Sequence, residues 1–417
     1  MFSLKKFLFL LLAIGGLWIW WHVGEDEVSQ IKSFILELPV LERLQQEESI
    51  LEVVTSEGEV TEVVEERPET ESEKFFYNQL DENQRIIYRA LRDGVIRGDA
   101  EIRIDTNDAH EINDIYRLVL FDHPEFFWVT GAGVSTVHEW SDGQTYTIFE
   151  PEYGHVGLER EAMQVEIDEA VDAFLASLDP NLSEYETVKA VYEHLILTTT
   201  YHLDAPDHQN IYSVFVGGES VCAGISKAAQ LLLNRLGIFA TYVVGVAYVP
   251  GTSAEPIAHA WNLVRVGGVY YYLDVTCGSP GFLEGSTLAD RIEVVYDYLL
   301  LNEALLFRTH TLDENIVMPP VTSLQHNFFV MNGMFYDEHD TERALEAMNT
   351  SILNEEDWVA FKFSTPTLYQ SMRSVILDDL APVAARNLAQ WHGLESVHYY
   401  IREKENLNML IIYWVYE

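Results

Sequence analysis

Val221-Cys222-Ala223-Gly224-Ile225-Ser226, His259-Ala260-Trp261-Asn262 and Tyr272-Leu273-Asp274-Val275-Thr276 lie between residues 221 and 276, and the reading of the whole chain turns on them. The first follows a loop, Gly217-Gly218-Glu219-Ser220, and opens a run with Ala228, Ala229, Leu231, Leu232, Leu233 and Leu236 before Gly237. That pattern predicts a buried helix closed by a glycine cap. Cys222 then stands at the helix N-terminus, where unpaired N–H groups and the helix dipole favour a negatively charged sulfur. Gly224, with Ala223, leaves room for a substrate to approach it.

Residues 258–266 and 269–275 are β-rich runs separated by Gly267-Gly268, a two-residue hairpin signal. If Val266 faces Val269, counting back sets Trp261 opposite Asp274 and His259 opposite Thr276. His259 and Asp274 then share one face as diagonal neighbours, roughly 5–8 Å apart at their side-chain origins. A three-residue loop would send them to opposite faces.

Thiol attack on an acyl carbon needs a base for the proton and a third group that orients the base. Cys222 reads as the nucleophile, His259 as base and later acid, and Asp274 as acceptor for the second ring N–H. The backbone N–H of Cys222 would meet the oxyanion, with Tyr212 as a candidate side-chain donor. Gly224, Trp261 and Tyr212 are the candidate substrate-binding positions. His194, His202 and His208 lack metal-site spacing with carboxylates, and His310 is left without a role, so no metal is expected.

In this order the three segments resemble the motifs of the transglutaminase-like superfamily, over about residues 184–280. The resemblance implies an α+β, papain-like/transglutaminase-like core, a Cys-bearing helix packed on an antiparallel sheet carrying His and Asp, with no metal or organic cofactor. Bacterial members with an N-terminal anchor are likened to a transglutaminase and protease-like domain associated with cytokinesis. Two positions depart from the usual pattern. Ile225 stands where an aromatic residue is common, and Cys277 replaces a common Trp after Asp-Val-Thr. Cys277 reads as an inert cysteine; a disulfide to Cys222 that silences the nucleophile is the alternative.

Outward from this stretch, residues 1–23 place Lys5-Lys6 before a run of apolar and aromatic residues with Trp18, Trp20 and Trp21. They read as an uncleaved signal anchor that leaves the bulk of the chain extracytoplasmic, a cleaved signal and secretion being the alternative. Residues 24–74 are rich in Glu and poor in aromatics, and read as a disordered acidic linker. Residues 75–156 form an expected N-terminal α+β unit, with a helix from Asp81, a strand at 102–104, a helix at 108–120 and strands at 124–129 and 145–149. Phe126, Phe127 and Trp128 read as core. The catalytic core is expected at 157–337, with helices at 158–178 and 183–201, a helix-like pattern at 290–301, and a hairpin at 327–336 around Asn332-Gly333. A last α+β unit is expected at 338–417.

The chain has 67 acidic and 25 basic side chains, a formal net charge of −42. Nucleic acid is excluded as a partner, because phosphates would be repelled. With two cysteines in 417 residues, no disulfide framework holds the fold. The expected activity is thiol-dependent acyl transfer on peptide or glutamine amides of the cell envelope, ending as protease, deamidase or transglutaminase. The competing expectation is a catalytically silent envelope scaffold that keeps the fold for binding.

Overall fold

Three four-stranded sheets organise the chain, each with its own helices. The computed structural model describes residues 51–57 (backbone), 74–248, 255–279, 294–395 and 398–416. The expected anchor and most of the expected linker lie outside the described residues. Among the described residues no helix is long and apolar enough to cross a membrane.

The first sheet combines β1 (Leu51–Glu57) with later strands of the N-terminal unit. Its residues are strand where a linker was expected, in keeping with β-branched Val53, Val54 and Thr55. Helix α1 (Glu82–Arg97) starts at Asp81, whose side chain and that of Gln84 cap each other's backbone N–H. It is followed by β2 (Ile102–Ile104), α2 (Ala109–Asp122), β3 (Val129–Glu139) and β4 (Thr145–Tyr153), in sheet order β1-β3-β4-β2. The expected strand at 124–129 begins only at Val129. The residues before it turn, and Phe126, Phe127 and Trp128 are buried in the core as anticipated.

Two helices, α3 (Gly157–Ser177) and α4 (Glu184–Thr198), lead into the central unit. The Ser183–Glu186 capping pair at the start of α4 is formed in both directions. Short parallel strands β5 (Thr200–Tyr201) and β6 (Glu219–Ser220) then flank the loop that delivers the chain to α5 (Cys222–Arg235). Behind α5 stands an antiparallel sheet of β7 (Ala240–Ala247), β8 (Ile257–Val266), β9 (Val269–Leu273) and β10 (His310–Leu312), in the order β10-β7-β8-β9. In the described part of 290–301, Tyr296–Tyr298 forms one 3-10 turn and Leu301 bridges to Tyr272, so no helix runs there.

The last sheet contains β11 (Phe335–Tyr336), β12 (Trp358–Phe363), β13 (His398–Lys404) and β14 (Met409–Val415), in the order β11-β12-β14-β13. Between its strands come α6 (Thr341–Leu353), α7 (Pro366–Val375) and α8 (Ala381–His392). The hairpin expected at 327–336 is not present. Asn327 caps a one-turn helix, Phe328–Met331, and Phe335–Tyr336 joins β12 in parallel instead. Asn327 favours this turn because its Nδ2 also reaches the buried carbonyls of Leu299 and Leu300.

One hydrophobic cluster runs from Tyr77 and Leu91 through Val188, Leu232 and Tyr271 to Met409 and Ile411. The N-terminal unit, the central unit and the rear of the last sheet therefore share a core. A second cluster, with Val243, Trp261, Tyr272, Cys277 and Leu306, fills the opposite face of the central sheet.

Candidate active site

Helix α5 begins at Val221, which has extended backbone and no capping side chain, so the first-turn amides at Cys222 are not taken up by a cap. Two side chains fasten the helix to β8. Ser226 Oγ donates to the carbonyl of Ala260 at 3.0 Å, and Asn262 Nδ2 donates to the carbonyls of Ser226 at 2.9 Å and Thr241 at 3.3 Å. Both links are buried, where each replaces an otherwise costly unpaired group. Cys222 is 6% exposed, in a cluster with Tyr242 and Ala260 that is edged by Phe121, Tyr201 and Val244.

Gly224 is explained by close approach. A Cβ there would lie 2.2 Å from Ser220 Oγ and 2.8 Å from the carbonyl oxygens of Asn210 and His208. The missing side chain thus admits the preceding loop rather than a substrate.

The Gly267-Gly268 turn has φ of +60° and +78°, both left-handed, as a two-residue hairpin with right-twisted strands requires. Val266 faces Val269, and the ladder continues to Asn262 opposite Leu273. Beyond it the chain leaves the sheet at Asp274 and enters a 3-10 turn, Thr276–Gly278. Its first residues fold back so that the Cys277 N–H donates to Asp274 Oδ1 at 2.9 Å. The other carboxylate oxygen, Oδ2, stands 2.7 Å from His259 Nε2. His259 and Asp274 are both buried, with side chains fully shielded from solvent.

Two further side chains complete the cluster. His310 Nε2 is 2.9 Å from the same Oδ2, and its Nδ1 is 2.8 Å from Thr309 Oγ1. Cys277 Sγ lies 3.8 Å from His259 Nε2. An ionised carboxylate only accepts, so both rings donate from Nε2. His310 arrives on β10, which pairs with β7 through His310 opposite Ala247. Gly245 of β7 permits this, since a Cβ there would come within 2.0 Å of the Thr311 carbonyl oxygen and 2.8 Å of the Trp261 ring.

Burial opposes charge on His259, but the Asp274 carboxylate, Cys277 and the hydrogen bonds to Asp274 and the Cys222 thiol outweigh it and raise its pKa well above the usual imidazole value. Burial likewise opposes ionisation of Asp274. The two histidines, His259 foremost, reverse this and hold it well below the ordinary carboxylate range. His310 is pushed down by burial, only partly offset by Asp274. The Cys277 thiol is pushed up by burial and by the carboxylate beside it. The Asp274 carboxylate is thus the charged centre of the cluster, with the His259 and His310 rings both donating to its Oδ2.

His259 and Asp274 thus meet at 2.7 Å, and the Cys222 thiol is among the groups that raise the His259 pKa. Trp261 and Tyr212 do not join them as substrate contacts. Trp261 is fully buried, stacked on His259 at 6.0 Å and edge-on to His310 at 5.1 Å, so it is a wall of the cluster. The Tyr212 hydroxyl donates to Glu166 of α3 at 2.6 Å and is directed to the exterior. His310 is the residue that sequence reasoning left without a role. Its distance of 36 positions from Asp274 carries no spacing signal. His259, Asp274, Cys277 and His310 each offer one atom of metal-ligand type, and these atoms lie within 4.8 Å of one another.

Residues 173–275 match the transglutaminase-like superfamily, a span that contains Cys222, His259 and Asp274 and ends before Cys277 and His310. Among solved structures the chain is similar to a TGase at 18% identity, over 38% of this chain and 53% of that one, with a TM-score of 0.25. It is also similar to a candidate cysteine protease from Cytophaga hutchinsonii at 15% identity, over 36% of this chain and 63% of that one, with a TM-score of 0.24. A candidate protease from Parabacteroides distasonis shares 13% identity over 36% of this chain and 42% of that one, with a TM-score of 0.21. The chain thus spans about half the length of the TGase it matches. No curated protein matches it.

Proposed function

We propose that this chain, with its transglutaminase-like domain, is a thiol-dependent acyl-transfer enzyme acting on peptide or glutamine amides outside the cytoplasm, held at the membrane by residues 1–23. The observation that carries the reading is the buried His259 imidazole, held 2.7 Å from Asp274 Oδ2 through Nε2, with the Cys222 thiol among the groups that raise its pKa.

In the proposed reaction the Cys222 sulfur attacks the amide carbon while its proton passes to His259. Nε2 is already engaged by Asp274, which leaves Nδ1 as the accepting atom. Asp274 fixes the ring and offsets the charge of the imidazolium. The first-turn amides of α5 face the oxyanion that develops on the carbonyl oxygen. Collapse breaks the C–N bond, the leaving amine takes the proton from His259, and a thioester remains on Cys222. Water then gives hydrolysis or deamidation, with His259 removing its proton. A primary amine gives transglutamination. Substrates would be proteins or peptides of the cell envelope.

The test is alkylation of the native chain by iodoacetamide near neutral pH, followed by mass mapping. Rapid modification of Cys222 alone, lost in His259→Ala, supports the enzyme. Slow labelling at the rate of an ordinary thiol, unchanged in His259→Ala, sinks it and favours a silent scaffold. Incubation with a glutamine-containing peptide and a primary amine then separates cleavage, deamidation and amine incorporation by product mass.

A further inference from the structure

A second chemistry is available at the same cluster. Its donor set is two imidazole nitrogens, one carboxylate oxygen and one thiol sulfur, from His259, His310, Asp274 and Cys277, all buried. Nitrogen with sulfur selects borderline cations such as Zn²⁺ or Co²⁺ over Mg²⁺ and Ca²⁺, which prefer oxygen. We propose that these four residues form a binding site for a divalent cation of the zinc class, and that the bound cation withdraws His259 from service as a base. The regulatory half rests on the function proposed above; the binding half does not.

The four ligand atoms lie within 4.8 Å of one another, and part of the set is already near what a tetrahedral ion needs. Zinc bonds of about 2.0–2.3 Å set ligand-to-ligand edges of roughly 3.3–3.8 Å. The Cys277 Sγ–His259 Nε2 distance is already 3.8 Å. The two Nε2–Oδ2 contacts, 2.7 and 2.9 Å, are hydrogen bonds and must open by about half an ångström as the ion replaces their protons.

Charge closes as well. A buried dication needs two anions, and the site offers the Asp274 carboxylate and the Cys277 thiolate, which makes the loaded site neutral. On binding, the Cys277 proton leaves to solvent and forms no other bond.

The outer shell is in place too. A histidine that binds metal through one nitrogen needs a partner for the other. Thr309 Oγ1 lies 2.8 Å from His310 Nδ1 and 3.3 Å from the Leu306 carbonyl. In the metal-free state the hydroxyl donates to Nδ1. With metal on Nε2 the ring proton resides on Nδ1 and donates to Thr309 Oγ1, whose own proton turns to Leu306. Asp274 Oδ1 keeps the N–H of Cys277, so the carboxylate remains oriented while Oδ2 binds. His259, with Nε2 on the metal, carries its ring proton at Nδ1 and cannot accept one from Cys222.

The test is Co²⁺ titration of the metal-free full chain. Stoichiometric uptake is expected, with visible absorption of four-coordinate cobalt and a near-ultraviolet thiolate-to-metal band. Cys277→Ser should abolish that band and weaken binding at least about 10- to 100-fold, whereas Cys222→Ala should leave band and affinity unchanged. His310→Ala, a check should the serine variant not fold, should keep the band but lose four-coordinate intensity. No uptake at micromolar Co²⁺ overturns the site, as does a band that survives Cys277→Ser and disappears in Cys222→Ala. Zn²⁺ should also stop the rapid alkylation of Cys222. If cobalt binds as described but Cys222 never labels rapidly in the metal-free chain, the metal site stands and the enzyme reading fails.

Discussion

His310 and Asp274 meet through Nε2 and Oδ2 at 2.9 Å, on the same carboxylate oxygen that His259 holds at 2.7 Å. The shared oxygen makes His310 a positioning residue for the pair. It braces Asp274 through that oxygen, its ring 5.4 Å from the ring of His259.

His310→Ala is expected to lower the rate of Cys222 alkylation, and of turnover where a substrate is found, by roughly 10- to 100-fold, the range for a catalytic group left loosely placed. His310→Gln retains a donor for Asp274 and should recover most of this. A purely structural role predicts the opposite pattern: loss of melting temperature in both variants, with the native fraction fully reactive.

Gly224→Ala should be far more damaging than an alanine at an ordinary helix position. Its Cβ would meet Ser220 Oγ at 2.2 Å and two backbone oxygens at 2.8 Å, and backbone cannot rotate aside. The expected cost is about 1–3 kcal/mol by denaturant titration, with reduced Cys222 reactivity because the helix start must shift. An unchanged denaturation midpoint would show that the loop yields freely.

Asn262→Ala removes the donor to the carbonyls of Ser226 and Thr241 and leaves both without that partner in a buried setting. Destabilisation of about 2–4 kcal/mol is expected. Ser226→Ala loses a single link, to Ala260, and should cost about 1 kcal/mol. A smaller effect at Asn262 than at Ser226 would contradict its assignment as the main fastening of helix to sheet.

Lys362 joins the last sheet to the central unit. It is 1% exposed, with Nζ 3.8 Å from Asp297 Oδ1, and Lys404 Nζ pairs with the other oxygen of Asp297. Burial, offset in part by Asp297, lowers its pKa from 10.5 to about 8. Between those values the unfolded chain binds more protons than the folded one, so stability rises with pH across the window and the penalty is complete below it. Lys362→Met removes the burdened charge. It should raise the melting temperature at pH 7, by up to an equivalent of about 3 kcal/mol, and the gain should fade as pH approaches 10. A pH-independent difference between the two proteins would assign the effect to packing instead.

The chain's local rules were sufficient for much of the site. Gly267-Gly268 allows both left-handed angles of a tight hairpin, and the period of two along its strands then sets His259 on the side to which Asp274 turns. The run from Cys222 to Gly237 likewise encodes a helix whose first residue is the thiol. These features depend on neighbours within a few residues, and periodicity and turn chemistry report such neighbours faithfully.

The same rules misled at 327–336, where Asn332-Gly333 reads as a hairpin turn. Asn327 instead spends its side chain on a helix start and on the carbonyls of Leu299 and Leu300, 28 and 27 residues earlier. Packing across the chain outweighed a local preference worth little by itself.

The sequence by itself determined the Cys-bearing helix and the hairpin, with its register from Val266 opposite Val269 to Asn262 opposite Leu273, whereas the expected pairs of Trp261 with Asp274 and His259 with Thr276 do not form. Only the tertiary structure decided that β10 would bring His310 to Asp274, that the turn after Asp274 would set Cys277 beside His259, and that Trp261 would be a buried wall rather than a contact surface. The reason is physical: side chains distant in sequence become neighbours through sheet pairing and shared burial, whose energies belong to the assembled core and leave no periodic trace along the chain.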